Sequence, residues 1–260
     1  MTRSLDNLEV QVYRDAAAVA EAAASQLMTR IVEAQEARGE ATVVLTGGGL
    51  GIDVLRRLAA GPARAAIDWR GLNLWWGDER FVPSSDPDRN ELQARAALLD
   101  LVPLDPARVH PMPPSDGPDG DDPEAAAARY AAELASAARP GREVPAIDVL
   151  LLGVGGEGHV ASIFPESPAA HDGRLATAVR GCPKPPPTRI TLTFPVIQSA
   201  DEVWLVAAGA AKAHALGAAA RGAGPVQIPA AGARGRLRTL WLLDREAAAE
   251  IPKPMWSLRT

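Results

Sequence analysis

The residue best placed to do chemistry is His159. It follows the apolar run Ile147-Asp148-Val149-Leu150-Leu151-Leu152 through the turn Gly153-Val154-Gly155-Gly156-Glu157-Gly158. A buried-type strand running into glycines delivers a titratable imidazole to the carboxyl end of a strand, where open α/β sheets bind ligands. The turn leads into what reads as a helix start, which leaves the ring sterically available, and the ordinary pKa of histidine suits a general base. A lone histidine is most often structural, which is the alternative reading. The other three, His110, His171 and His214, form no pair at metal-ligand spacing, so no metal site is expected. Ser162 lies three residues on, along the same expected helical face. It lacks the strained elbow of a hydrolase nucleophile and is read as a bystander.

Two further junctions have the same form. Val43-Val44-Leu45-Thr46 runs into Gly47-Gly48-Gly49, and Leu55 and Leu58 give the following helix an apolar face. Glycines let backbone N–H groups approach an anion closely, and a helix N-terminus adds favourable partial charge, so phosphate is the natural ligand. A tight turn needing glycine for geometry alone is the alternative. Leu74-Trp75-Trp76-Gly77 is followed by Asp78-Glu79-Arg80. In extended backbone Asp78 and Arg80 point the same way, Arg80 able to hold a substrate oxygen and Asp78 to orient a proton or hydroxyl. A surface turn with a local ion pair is the competing reading. Arg189, at the start of Arg-Ile-Thr-Leu-Thr, and Lys212 complete a plausible phosphate clamp with the Gly47–Gly49 turn. Gly153, Gly155 and Gly158 also match a dinucleotide fingerprint. However, Pro165 and Pro168 stop the next helix too early, and Asp172 sits in a turn, so no such cofactor is expected.

These sites need a frame. The chain has 260 residues, 47% hydrophobic, enough for one large α/β domain, and a single domain over 1–260 is preferred. A formal charge of −5 argues against nucleic acid as the main partner. The one dense basic cluster, Arg234, Arg236 and Arg238, reads as a solvated face. One cysteine, Cys182, excludes an internal disulfide. Residues 1–10 lack a signal-peptide core and no window reaches membrane-span length, so a cytoplasmic protein without membrane contact, and a monomer, is expected. Apolar runs at 42–46, 72–76, 147–154, 189–193, 203–208 and 239–243 alternate with helical spacing at 15–38, 90–99, 123–138 and 210–221. Such alternation predicts a mostly parallel sheet with helices on both faces. Residues 8–13 and 175–179 are additional strands. Segments 77–89 and 103–122 read as long loops rich in Pro, Asp and Ser.

Together these segments carry a resemblance. Thr46-Gly47-Gly48-Gly49, Trp76-Gly77-Asp78-Glu79-Arg80-Phe81-Val82-Pro83, Asp86-Pro87-Asp88-Arg89-Asn90, Gly153 through Pro165 and Pro187-Thr188-Arg189-Ile190-Thr191-Leu192-Thr193 resemble the 6-phosphogluconolactonase family, in order. The likeness continues through Gly209-Ala210-Ala211-Lys212 and Pro229-Ala230 to Leu240-Trp241-Leu242-Leu243-Asp244 and so covers nearly the whole chain. It implies a Rossmann-like sugar-phosphate isomerase fold, hydrolysis of 6-phosphoglucono-δ-lactone in the oxidative pentose phosphate pathway, and no organic cofactor. His159 looks like the catalytic histidine and Asp78 and Arg80 its companions, while Gly48, Gly49, Arg189 and Lys212 fall where the wider family holds phosphate. The sister glucosamine-6-phosphate deaminases carry a glutamate five residues past the histidine. Here that position is Phe164, and Arg80 replaces their tyrosine. Two departures bear on phosphate contacts: the first turn lacks the family's frequent Ser or Thr then Pro, and Arg89 stands where serine is common.

The competing classes are an isomerase or deaminase acting on a sugar phosphate, and a phosphosugar-binding sensor. A sensor would be expected to carry a helix-turn-helix segment, whereas 15–38 reads as one long alanine-rich helix.

Overall fold

The computed structural model describes residues 7–259, so residues 1–6 of the N-terminal stretch read above lie outside the described residues. Eight strands form one all-parallel sheet: β1 (Leu8–Tyr13), β2 (Ala41–Leu45), β3 (Leu72–Trp76), β5 (Val109–His110), β6 (Val149–Gly153), β9 (Glu202–Ala207), β10 (Arg238–Asp244) and β11 (Trp256–Leu258). Their spatial order is β11-β1-β10-β9-β6-β2-β3-β5. The inner strands are continuous apolar runs because both faces are covered; every residue of β2 and β9 is buried.

The connections explain the helix layers. The chain runs outward from β1 through α1 (Ala16–Arg38) to β2, and through α2 (Gly49–Ala60) to β3. It returns from β5 through α4 (Pro123–Ser136) to β6, and from β9 through α6 (Ala213–Ala220) to β10. Right-handed crossovers in opposite directions place their helices on opposite faces. The helix ends obey local rules. Asp15 caps α1 by accepting the Ala18 N–H at 2.8 Å, and Gly39, at φ 77°, closes it with its N–H on the Gln35 carbonyl. Of the arginine cluster read as a solvated face only Arg236 is exposed, paired with Asp201, whereas Arg238 is half-buried against Glu9 and Arg234 is half-buried, donating to the Ala231 carbonyl.

Two expectations need correction. Residues 189–193 and 175–179 do not join the main sheet. β8 (Arg189–Leu192) and β7 (Ala176–Val179) form a separate antiparallel sheet with β4 (Asp78–Arg80), in the order β4-β8-β7. β4 itself lies within 77–89, which reads as loop in sequence. Both misreadings have one cause: strands of three or four residues carry too little pattern to say which sheet they enter. The chain leaves the main sheet at Gly77, whose N–H still bonds the Leu45 carbonyl while its own carbonyl accepts the Leu192 N–H. Segment 103–122 likewise contains β5. No helix among the described residues is long and apolar enough to cross a membrane.

The end of β3 is held by Tyr130 of α4, whose hydroxyl accepts the buried Trp76 N–H at 2.9 Å. Replacing it by phenylalanine strands that N–H without a partner. Tyr130→Phe is therefore expected to lower stability by about 1–3 kcal/mol in urea unfolding while the chain still folds.

Candidate active site

Strand order reverses between β2 and β6, and the loops leaving their carboxyl ends part in opposite directions. Such a switch point opens a crevice. A cavity of about 210 Å³ lies there, lined by Thr46, Gly47, Gly48, Asp78, Arg80, Asn90, Gly153, Val154, Gly155, His159, Ala161, Lys184, Arg189 and Lys212. It gathers the sequence candidates from all three junctions and both basic positions. Gly49 lines the adjoining cavity, together with Gly47, Gly48 and Lys212.

The first wall is the turn after β2. The Thr46 hydroxyl accepts the Gly153 N–H at 3.1 Å, tying the two diverging loops. Gly47 is obligatory because a β-carbon there would overlap the Asn90 amide. Helix α2 starts at Gly49, with first-turn N–H groups that have no intrahelical acceptor.

The second wall is β4. Alternation along it turns Asp78 and Arg80 to the cavity and Glu79 away. Asp78 is buried, with its Oδ2 accepting the Ser162 hydroxyl at 2.6 Å and standing 3.8 Å from Nη1 of Arg189. Arg80 donates to the Asp88 carbonyl, and its buried Nε has no partner among the described residues. Glu79 accepts the N–H groups of Arg80, Asn90 and Glu91, the last two opening α3 (Asn90–Ala97). Burial pushes its carboxyl up to about 7, against the pull of Arg89 and those donors. Arg89 is fully buried and outside the cavity, bonded to the Met112 carbonyl at 2.7 Å and to Glu91 at 3.1 Å. The local ion pair between Asp78 and Arg80 weighed from sequence does not form.

The third wall corrects the expected helix start. No helix follows β6. The Gly155 N–H bonds the His159 carbonyl at 2.9 Å, closing a turn, and Ala161 takes a left-handed φ of 49° before a Val160–Ile163 bridge. A non-glycine residue held in that region beside a ligand cavity is strain of the kind found at functional sites. Ser162 is accordingly not on a helical face with His159, and it is no bystander: it fixes Asp78.

His159 packs against Phe164, ring centroids 4.4 Å apart and planes tilted 32°. Burial depresses its pKa below the ordinary histidine value, Lys184 adds to this, and Glu157 only partly offsets it. These surroundings favour the neutral imidazole. Glu157 places Oε1 3.1 Å from its Nδ1 and Oε2 2.9 Å from the Lys184 ammonium. Burial acts to raise the Glu157 carboxyl, but a backbone N–H, Lys184 and His159 together bring it down to about 2. The carboxylate beside the histidine is thus Glu157, whereas Asp78 acts on it only at a distance.

The basic residues divide their work. Arg189 lines the cavity, yet its fork is turned to the carbonyls of Lys184, Pro185 and Pro186 at 3.1–3.2 Å. It fastens the loop that presents Lys184 more than it offers a free guanidinium. Lys212 faces the cavity from the turn before α6, and burial, with Lys184 close by, depresses its pKa. Glu157, Ser162, Asn90 and Lys184 are the site residues that sequence reading passed over. Glu157 stood two places before His159 and Lys184 five before Arg189, but single charges in turns give no sign of which way they point. Among the described residues no three or more His, Cys, Asp or Glu side chains gather as a metal-ligand group.

The sequence profile of the glucosamine-6-phosphate isomerases/6-phosphogluconolactonase family matches residues 14–241. A 6-phosphogluconolactonase of Streptomyces coelicolor is 58% identical over 254 residues, spanning 96% of this chain and 97% of its own length. One from Mycobacterium tuberculosis is 51% identical over 244 residues, covering 94% and 98%. Among solved structures, the 6-phosphogluconolactonase of Trypanosoma brucei superposes with a TM-score of 0.79 at 28% identity, over 94% of this chain and 98% of that one.

Gly155 leaves room for the His159 ring, which a β-carbon there would overlap. In an imidazole NMR titration, wild-type His159 is expected to have a midpoint below the ordinary value of roughly 6.5. Gly155→Ala should displace the ring and change that midpoint while far-UV circular dichroism stays the same. A wild-type midpoint at or above the ordinary value would contradict the environment described.

Proposed function

We propose a reaction for this chain on one premise: it belongs to the family of glucosamine-6-phosphate isomerases and 6-phosphogluconolactonases. The reaction is hydrolysis of 6-phospho-D-glucono-1,5-lactone to 6-phospho-D-gluconate, in the oxidative branch of the pentose phosphate pathway. The observation that carries it is a half-buried His159, its pKa held below the ordinary value by its surroundings, facing the Gly47–Gly48 turn across one small cavity. Phe164 packs on the imidazole at the position where the sister deaminases carry a glutamate, which favours hydrolysis over ring-opening chemistry. We place the activity in the cytoplasm, acting on a small phosphorylated lactone.

Lactone hydrolysis is acyl transfer to water. It needs a base, a stabiliser of developing negative charge and a proton for the leaving oxygen. His159 takes the proton from the attacking water through Nε2, while its Nδ1 lies 3.1 Å from Oε1 of Glu157. As the tetrahedral intermediate collapses, the imidazolium returns that proton to the ring oxygen. Arg80, with a donor left unpartnered, stabilises the oxyanion. Asp78, fixed by Ser162, orients the water or a substrate hydroxyl. The phosphate sits against Gly47, Gly48, Gly49 and Lys212, and its binding energy holds C1 against the base. Arg189 supports it from behind through the Lys184 loop.

The test generates the lactone in situ and follows its loss against the spontaneous background. His159→Ala should lower kcat roughly a hundred- to ten-thousandfold with the fold intact. Lys212→Ala should raise KM more than it lowers kcat. Because the base works deprotonated, wild-type kcat/KM should fall as pH drops through the His159 midpoint, below that of an ordinary histidine. A folded wild type that does not accelerate the reaction would sink the assignment.

A further inference from the structure

Lys184, Glu157 and His159 form a line of contacts that hydrolysis by itself does not require. The Lys184 ammonium stands 2.9 Å from Oε2 of Glu157, and Oε1 of the same carboxylate stands 3.1 Å from Nδ1 of His159. The two contacts are unequal. Lys184 makes a hydrogen bond, whereas the buried Nδ1 finds no aligned acceptor among the described residues. One carboxylate is therefore shared by an ammonium that holds it and an imidazole that does not yet engage it.

Lys184 is also the most exposed member. Its side chain is 48% exposed, while its backbone is fastened by Arg189 and by the Cys182 N–H on the Pro187 carbonyl at 2.9 Å. Lys212 faces the same cavity, near enough for the two ammoniums to disfavour each other. Two like charges across one small cavity, beside the Gly47–Gly48 turn, define a seat for a dianion.

We propose that Lys184 is a positioning residue that couples phosphate occupancy to the base: a dianion seated between Lys184 and Lys212 draws the ammonium off Glu157, whose carboxylate then closes on Nδ1–H of His159. The proposal deepens the lactonase reading and rests on it for the identity of the dianion. No covalent bond forms or breaks; one carboxylate changes partner. Held on Glu157, Lys184 opposes a charge on the imidazole and occupies the group that would stabilise it. With the dianion bound both effects reverse, so a phosphorylated substrate prepares its own base. An unphosphorylated lactone would meet a weaker one. The other groups around the ring are Asp78, Arg80, Arg189 and Lys212 on the cavity wall and Phe164 against its face, and none of them bridges to Nδ1.

The experiment is a pH titration of the His159 imidazole nitrogens by NMR in the full chain, for wild type, Lys184→Met and Lys184→Arg. Each is measured without anion and with saturating sulfate, a dianion that exchanges no proton near neutrality. Without sulfate, the Lys184→Met midpoint should lie above wild type by roughly half a pH unit or more, and Lys184→Arg should stay with wild type. Sulfate should raise the wild-type midpoint and add less in Lys184→Met. Equal midpoints for wild type and Lys184→Met without anion, or equal sulfate increments in the two, overturn the proposal. These readouts do not depend on turnover. Intact shifts in a chain inactive on the lactone would remove the proposed reaction and keep the coupling, whereas full activity with unmoved titrations would do the opposite.

Discussion

The parting of β2 and β6 is the constraint on which the rest of the site depends. The two strands pair only at Val43–Val149 and Val44–Leu150. Beyond that the chain continues outward on one side and inward on the other, and a side-chain hydroxyl, Thr46, takes up the Gly153 N–H. Parallel sheets bury both faces, so polar chemistry has room only at strand ends. A crevice between two diverging loops, each rich in glycine, brings backbone N–H groups and the His159 turn within reach of one small molecule.

The second sheet supplies what the main sheet cannot. Parallel strands deliver loops to the rim but offer few side chains that face sideways into it. By folding β4 back against β8, the chain sets Asp78 beside Thr191 and Arg80 beside Arg189. The same alternation sends Glu79 into the interior, where it caps α3 and holds Asn90 against Gly47. The carboxylate that builds the wall and the carboxylate that lines it are adjacent residues with opposite duties.

Charge balance decides what each group can do. Buried charges are tolerated only when paired or hydrogen-bonded. Asp78 has Ser162, Glu157 has Lys184, and Arg189 has three carbonyls. Lys212 faces the cavity from the turn before α6, and no ion pair of its own is formed among the described residues. His159, pressed on Phe164, lies in surroundings that favour its uncharged form. The Phe164 ring puts an apolar face, not a second carboxylate, against the imidazole.

Much of this was legible in the sequence. Continuous apolar runs marked the inner strands because burial on both faces removes polar alternation. Helical spacing over 15–38 marked α1, which Asp15 and Gly39 cap in the structure. Glycine turns after three apolar runs pointed to the strand ends that carry the site, since an anion approaches backbone closely only there. What sequence could not decide was set by contacts between distant residues. Residues 189–192 and 78–80 pair with each other because the chain bends away at Gly77, and neither segment is long enough to declare its partner. The expected helix after Gly158 is replaced by a strained turn because Gly155 closes on His159 and Ala161 turns left-handed. Ser162, Glu157 and Lys184 acquired their roles only once folding had turned them toward Asp78 and His159. Spacing along the chain fixes which residues a strand end can present, but the direction of a side chain in an irregular turn depends on what packs against it.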